Sequence, residues 1–315
     1  MDFAAASPTQ SAALTRRVTM LSVATAAVLV VLKAAVWIAS GSVSLLASLA
    51  DSGLDLVASS VTFFAVRYAA TPPDAEHRYG HGKAEAFASL IQAGLVFASA
   101  ALIAEEAIRH LFRPQPVLAQ GWAIGVMIVS IVLTGVLIFA QTWTLRRTAS
   151  VAVSGDRLHY AADFASNALA LVAIAASVIL GWTGFDALGG LAVAAILLWG
   201  AVAVFREASS QLMDHELPDE ARRRIVELMK RDKSIIDVHQ LRTRASGPTV
   251  HIQMHADLDP DLSLEAAHHA VVAAENRVLE AFPAADILIH PDPRGRAEPH
   301  GGAFAESHER ARVTK

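Results

Sequence analysis

The stretch SLLASLADSGLDLVASSVTFFAV, residues 44–66, is apolar enough to lie in lipid, yet it holds two carboxylates, Asp51 and Asp55, four residues apart. A helix needs about 20 mostly apolar residues to cross a bilayer, and this run supplies them. A spacing of four places both side chains on one helix face, with Cβ atoms about 5–6 Å apart. Two carboxylates so placed repel each other. Either one is protonated or a cation sits between them.

The rest of the chain agrees with a membrane setting. Its 315 residues are 54% hydrophobic and only 18% charged, and the mean hydropathy is +0.41, too apolar for an ordinary soluble domain. The net charge of -4 and the dispersed basic residues offer nothing to a nucleic acid. Cysteine is absent, which excludes disulfides, thiolate metal sites and thiol nucleophiles. Thirteen histidines and thirty carboxylates leave imidazole and oxygen as the available ligands.

Six stretches read as spanning helices, at about 18–39, 42–68, 84–111, 122–145, 151–180 and 187–209. The first follows Arg16 and Arg17 and could pass for a signal peptide, but it is long, contains Lys33 and precedes five further spans, so it reads as a retained helix. Arg16, Arg17, Arg67, Arg78, Lys83, Arg146 and Arg147 lie at alternate span ends, which predicts that both termini and these loops face the cytoplasm. Arg109 and Arg113 run against that bias. The opposite turns, near residues 40–42 and 181–184, are short and uncharged. Trp37, Trp122, Trp143 and Trp182 fall where interfacial anchors belong.

The domain boundaries follow from these patterns. Residues 1–17 are expected to form a cytoplasmic segment and residues 18–212 a transmembrane domain of six helices. Residues 213–293 should make a compact cytoplasmic domain, and residues 294–315 a disordered tail. In the soluble part, Pro218 opens a helix, IIDVHQLRTRA and TVHIQMHADL flank a Ser246-Gly247-Pro248 turn, a second helix follows, and ADILIHP closes the domain. The order α-β-β-α-β suits a two-layer α+β sandwich.

The fifth span poses the same problem as the second. Asp163 lies deep in it, and His159, four residues earlier, shares its face. An isolated aspartate near a span end can snorkel or cap a neighbour, but matched pairs on two spans call for a common ligand. Asp51, Asp55, His159 and Asp163 together offer three carboxylates and one imidazole, a set suited to a divalent transition ion such as Zn²⁺. Residues 50–55 can also be laid over residues 162–167, which places Asp51 on Asp163 and hints at related halves; chance similarity among small residues explains the overlay equally well.

Four motifs, GSVSLLASLADSGLDLVAS, HRYGHGKAEAFASL, HYAADFASNALAL and LMDHELPDE, resemble in order those of the cation diffusion facilitators, and within them the bacterial zinc and ferrous-iron efflux transporters, over nearly the whole chain. The resemblance implies a homodimeric proton antiporter that exports a divalent metal by alternating access, with a transport site on Asp51, Asp55, His159 and Asp163. It also implies a loop metal site on Asp74, His77 and His81, which could otherwise be read as a solvated polar loop. Residues His239, His255, His268, His290 and Asp292 of the soluble domain would then bind two metal ions near a dimer interface, with the aspartate able to bridge them. Lys83 and Asp214 match an interlock between subunits; each could otherwise be an ordinary interfacial charge. His251 and His269 are not needed by the family pattern and are expected at the surface, as are His300 and His308 in the tail.

The function so implied is exchange of a cytoplasmic divalent cation for protons across the inner (cytoplasmic) membrane. Ligands must be deprotonated to hold metal, so metal and protons compete for them. One imidazole among carboxylates favours Zn²⁺, with Cd²⁺ and Fe²⁺ as alternatives. No G-x-x-x-x-G-K-[ST] motif supports ATP-driven pumping, and no H-E-x-x-H supports a metalloenzyme. The alternative is a membrane metal sensor that binds without net flux and signals through its soluble domain.

Overall fold

The computed structural model describes residues 8–40, 43–112, 121–180 and 184–296. The first seven residues, Arg113, Trp182, His300, His308, the tail beyond residue 296 and most of the turns at 40–42 and 181–184 lie outside the described residues. Eight helices and three strands are present among those described. The chain divides into two compact units, one spanning Gln10–Ser210 and one that takes in the chain from Gln211 onward.

The first unit holds six helices, α1 (Pro8–Ser40), α2 (Val43–Ala69), α3 (Ala84–Phe112), α4 (Gly121–Leu145), α5 (Val151–Leu180) and α6 (Gly184–Leu212). Five of them, all but α5, contain stretches long and apolar enough to cross a membrane. At 30 residues α5 has the length of a span, but Asp156, Arg157, His159 and Asp163 make its first half polar. It packs against α2, α3 and α4, and Asp156 and His159 are buried.

The faces of α2 explain how lipid and protein select its orientation. Ser52, Asp55, Ser59 and Thr62, spaced three and four apart, are buried, whereas Leu54, Val57 and Phe64 are exposed. These four polar residues therefore turn inward and these three apolar ones outward, the arrangement expected where lipid surrounds a bundle. Small residues let the helices close up. A Cβ on Gly155 would meet Ser89 Oγ at 3.0 Å and Gln92 Cβ at 3.2 Å, so α5 lies against α3 at a distance that only glycine leaves free.

The charges outside this pattern are satisfied locally. Arg109, against the bias of the other basic residues, pairs with Glu105 at 2.8 Å and Glu106 at 3.0 Å within its own last turns. At the other end of the bundle, the Arg147 guanidinium stacks 3.6 Å from the centre of the Trp143 ring, a cation–π contact that suits an interfacial tryptophan.

The second unit has the expected order α-β-β-α-β: α7 (Asp219–Met229), β1 (Ile235–Ser246), β2 (Thr249–Leu258), α8 (Leu264–Ala281) and β3 (Ala285–Pro293). The sheet order is β1-β2-β3, with β1 antiparallel and β3 parallel to the central β2. Strand alternation sends Val250, Ile252, Met254, Ala256 and Leu258 into one core. There they meet Ile225, Leu228 and Met229 of α7 and Ala270, Ala274 and Val278 of α8. The intervening residues His251, His255 and Asp257 belong to the opposite face. Local chemistry sets the helix starts: Asp219 and Glu220 occupy the first turn of α7, and Ser263 Oγ accepts from the Ala266 N–H at 3.1 Å at the start of α8.

One irregularity positions a candidate ligand. The register of β1 on β2 shifts between His239 and Arg242, where Gln240 adopts a positive φ of 50°. This extra residue resets the alternation, so that Val238 before it and Leu241 and Ala245 after it all reach the core. His239 remains on the open face, directly opposite His255.

Candidate metal centres

Three groups of ligand-type side chains converge among the described residues. In the first unit they are Asp55 on α2 and His159 and Asp163 on α5. His159 Nε2 lies 3.0 Å from Asp55 Oδ1 and 3.9 Å from Asp163 Oδ2, and the ligand atoms of the three all fall within 4.8 Å of one another. Donors about 2.0 Å from a tetrahedral ion stand roughly 3.3 Å apart, so modest adjustment would admit a cation in place of the Asp55–His159 hydrogen bond. Asp55 and His159 are only 7% and 6% exposed.

Asp51 stands one turn away on α2, about 6 Å along the helix axis from Asp55. It is exposed, and it lies outside the converging three, though within the electrostatic reach of Asp55 and His159. The structure thus brings together three of the four residues singled out in the membrane.

The sequence reading missed a second polar assembly beside these ligands. Asp156 is fully buried and its carboxylate accepts hydrogen bonds from Ser22 Oγ of α1 at 2.6 Å, Gln92 Nε2 of α3 at 3.3 Å and Gln141 Nε2 of α4 at 2.9 Å. Ser59 Oγ of α2 adds a longer contact of 3.5 Å and also meets the Tyr160 hydroxyl at 2.7 Å. Five helices therefore meet at one carboxylate, three residues before His159. A nearby buried Glu85 at the start of α3 accepts from Ser150 Oγ at 2.6 Å, just ahead of α5. The only sequence signal was the presence of unpaired polar residues in apolar spans.

The second group forms in the loop between α2 and α3. Asp74 Oδ1 accepts the backbone N–H groups of Glu76 at 2.9 Å and His77 at 2.6 Å, an Asx-type turn that folds the loop on itself. His77 Nδ1 and His81 Nε2 each lie 3.3 Å from an Asp74 oxygen. On the far side of the His81 ring, Nδ1 lies 2.9 Å from Thr71 Oγ1, which fixes the ring with Nε2 toward Asp74. The His77 N–H leads in holding the Asp74 carboxyl below its ordinary value; desolvation opposes it, and the Glu76 N–H and the His77 imidazole reinforce it.

The third group lies on the open face of the sheet. Asp292 Oδ2 is 2.8 Å from His255 Nδ1 and 3.4 Å from His239 Nε2, while Asp292 Oδ1 is 3.3 Å from His290 Nε2. The two oxygens of one carboxylate thus face separate imidazoles. Asp257, which sequence reasoning passed over, lies 3.3 Å from His239 Nε2; its place two residues beyond His255 on β2 was the available signal. His268 is exposed on α8, beside His269 at a ring distance of 6.0 Å, and does not join the cluster within this chain.

His251 departs from the surface position expected for it. It is buried, with Nδ1 3.1 Å from Asp286 Oδ2 of the neighbouring β3, because the parallel register sets these two residues side by side. His269 is exposed as expected. Lys83 sits in the turn before α3, and Asp214 follows α6 with a positive φ of 55° and an ion pair to Arg244 at 3.0 Å.

Known proteins share both the sequence and its division. Residues 19–213 match the cation efflux transmembrane domain, and residues 217–294 match the cation efflux protein cytoplasmic domain. The cation-efflux pump FieF of Yersinia enterocolitica is 39% identical over 287 residues, covering 90% of this chain and 94% of the relative. The FieF pump of Serratia proteamaculans matches to the same extent, and that of Yersinia pestis is 40% identical over 273 residues, 86% of this chain and 90% of the relative. A solved structure of CzrB in its Zn form, described in terms of zinc transport, is 30% identical and covers 27% of this chain and 98% of its own, with a TM-score of 0.25. The chain is a multi-pass membrane protein and belongs to the cation efflux family, with both the transmembrane and the cytoplasmic domain of that family.

Proposed function

We propose that this cation efflux transporter moves divalent transition-metal cations out of the cytoplasm in exchange for protons, by alternating access at Asp51, Asp55, His159 and Asp163. The convergence of Asp55, His159 and Asp163 from two helices onto one buried point carries this reading. Carboxylate and imidazole bind metal only when deprotonated, so an ion arriving from a near-neutral cytoplasm displaces protons, and a more acidic exterior reverses the exchange. Zn²⁺ suits an oxygen-rich set with one imidazole, and Cd²⁺ or Fe²⁺ fit the same chemistry.

The remaining groups take supporting roles in this proposal. Asp74, His77 and His81 form a loop site on the path of the ion, and His239, His255, His290 and Asp292 form a regulatory cluster. His268 would contribute from elsewhere in a homodimer, and Lys83 and Asp214 would interlock its subunits. The protein would sit in the inner membrane with both termini in the cytoplasm, in line with the placement of its basic residues. Flux of Zn²⁺, Cd²⁺ and Fe²⁺ into vesicles, with and without a pH gradient, tests this reading: gradient-dependent flux supports it, and binding without flux favours a sensor.

A further inference from the structure

Lys33 is the one basic residue in the apolar run 18–39, and it is only 6% exposed. An ammonium inside a bundle needs partners. Its Nζ donates to Ser52 Oγ at 2.6 Å and to the Ser48 carbonyl at 3.2 Å. Both acceptors lie on the turn of α2 that carries Asp51. Both are also uncharged, so no hydrogen-bonded carboxylate offsets the ammonium, which lies within electrostatic reach of Asp51 and Asp163.

The charges then add to a definite balance. Asp51, Asp55 and Asp163 bring three negative charges, a divalent ion removes two, and Lys33 supplies the third positive charge. Net charge in an apolar interior is penalised, so the ion and its ligands are neutral only when Lys33 is counted, with Asp156 set apart by its own hydrogen-bond donors. The same ammonium repels the dication. Without it, the carboxylates would hold the ion with one surplus negative charge and release it more slowly.

We propose that Lys33 is a built-in counter-charge of the transport site, which neutralises the loaded state and weakens the hold on the dication enough for it to leave. This rests on the transport-site assignment made above. Lys33 is a positioning and affinity-setting residue and does not itself ligate the metal. A purely mechanical tether between α1 and α2 would have a different signature, because its loss would loosen the site.

The test is Zn²⁺ flux by the full-length protein in proteoliposomes over a range of metal concentrations. For Lys33→Gln, the half-saturating concentration should fall about tenfold and the maximal rate should fall by about the same factor. Lys33→Arg, which keeps the charge, should return both values toward wild type. Lys33→Met gives a second neutral variant should Lys33→Gln fail to assemble. An unchanged or raised half-saturating concentration in a folded neutral variant overturns the inference. Asp163→Ala, measured alongside, separates the two ideas: persistent flux in that variant defeats the site assignment, whereas lost flux with Lys33→Gln kinetics like wild type defeats only the role of Lys33.

Discussion

His159 Nε2 lies 3.0 Å from Asp55 Oδ1, joining α5 to α2 at a point where both side chains are buried. Each residue is a ligand in the proposed cycle, and each satisfies the other when no metal is bound. His159→Ala and Asp55→Asn should therefore each lower Zn²⁺ flux by about 100-fold or more, beyond the 10–100-fold typical for loss of an outer partner. Flux in proteoliposomes, normalised to the amount of folded protein, provides the check; near-normal rates in either variant would remove that residue from the site.

Asp156 should be more important to assembly than to metal choice. Its removal takes the shared acceptor from buried donors on α1, α3 and α4, which keep weaker or local partners, so the combined cost is about 1–3 kcal/mol. Asp156→Ala is expected to lower the melting temperature of the detergent-solubilised protein. An unchanged melting curve would show that water or rearrangement replaces the carboxylate.

Gly155 governs the approach of α5 to α3. Gly155→Val places atoms where Ser89 and Gln92 already stand, and overpacking of this kind costs about 1–3 kcal/mol. Because Asp156 and His159 follow within the next turn, loss of flux should accompany loss of stability. Thermal melting and flux measured on one preparation would reveal any separation between the two.

The loop site should tolerate acid at its carboxylate. The backbone N–H of His77 leads the effects that lower the Asp74 pKa from its ordinary 3.8. A depressed carboxylate contributes its stabilisation above the unfolded value and loses it as pH falls through the folded one. Protection of the Glu76 and His77 amides from hydrogen exchange should thus persist to below about pH 4. Asp74→Asn should reduce that protection at neutral pH, and equal exchange in the two proteins would contradict the account of the turn.

Asp292 is the shared partner of three histidines in the soluble domain. Asp292→Ala should weaken metal binding there by about 100-fold or more, beyond the range for an outer partner, and blunt any metal-dependent change in the distance between soluble domains of a dimer. Flux at saturating metal should change far less. Spin labels on the soluble domain, read with and without Zn²⁺, would distinguish a regulatory cluster from a decorative one.

The parts legible in the sequence were those where one residue violates its surroundings or where a short period fixes direction. Asp51, Asp55 and Asp163 stood out because charge is costly in apolar spans. The alternation of β2 foretold that His251 and His255 share a face, and the hairpin turn foretold the pairing of β1 with β2. The Asp156 assembly was hidden because it draws single residues, Ser22, Ser59, Gln92 and Gln141, from four other helices. Their meeting depends on packing angles that no local pattern encodes. The bulge at Gln240 was equally invisible, since it requires a non-glycine residue in the left-handed region. His251 is buried for a similar reason: its partner Asp286 comes from β3, after the whole of α8 has intervened.

The most direct measurement is Zn²⁺-driven proton flux by Asp163→Ala in proteoliposomes, with size-exclusion chromatography to verify assembly. A folded variant with no metal-coupled proton movement is the predicted result. Coupled flux at the wild-type rate from that variant would contradict the proposed transport site.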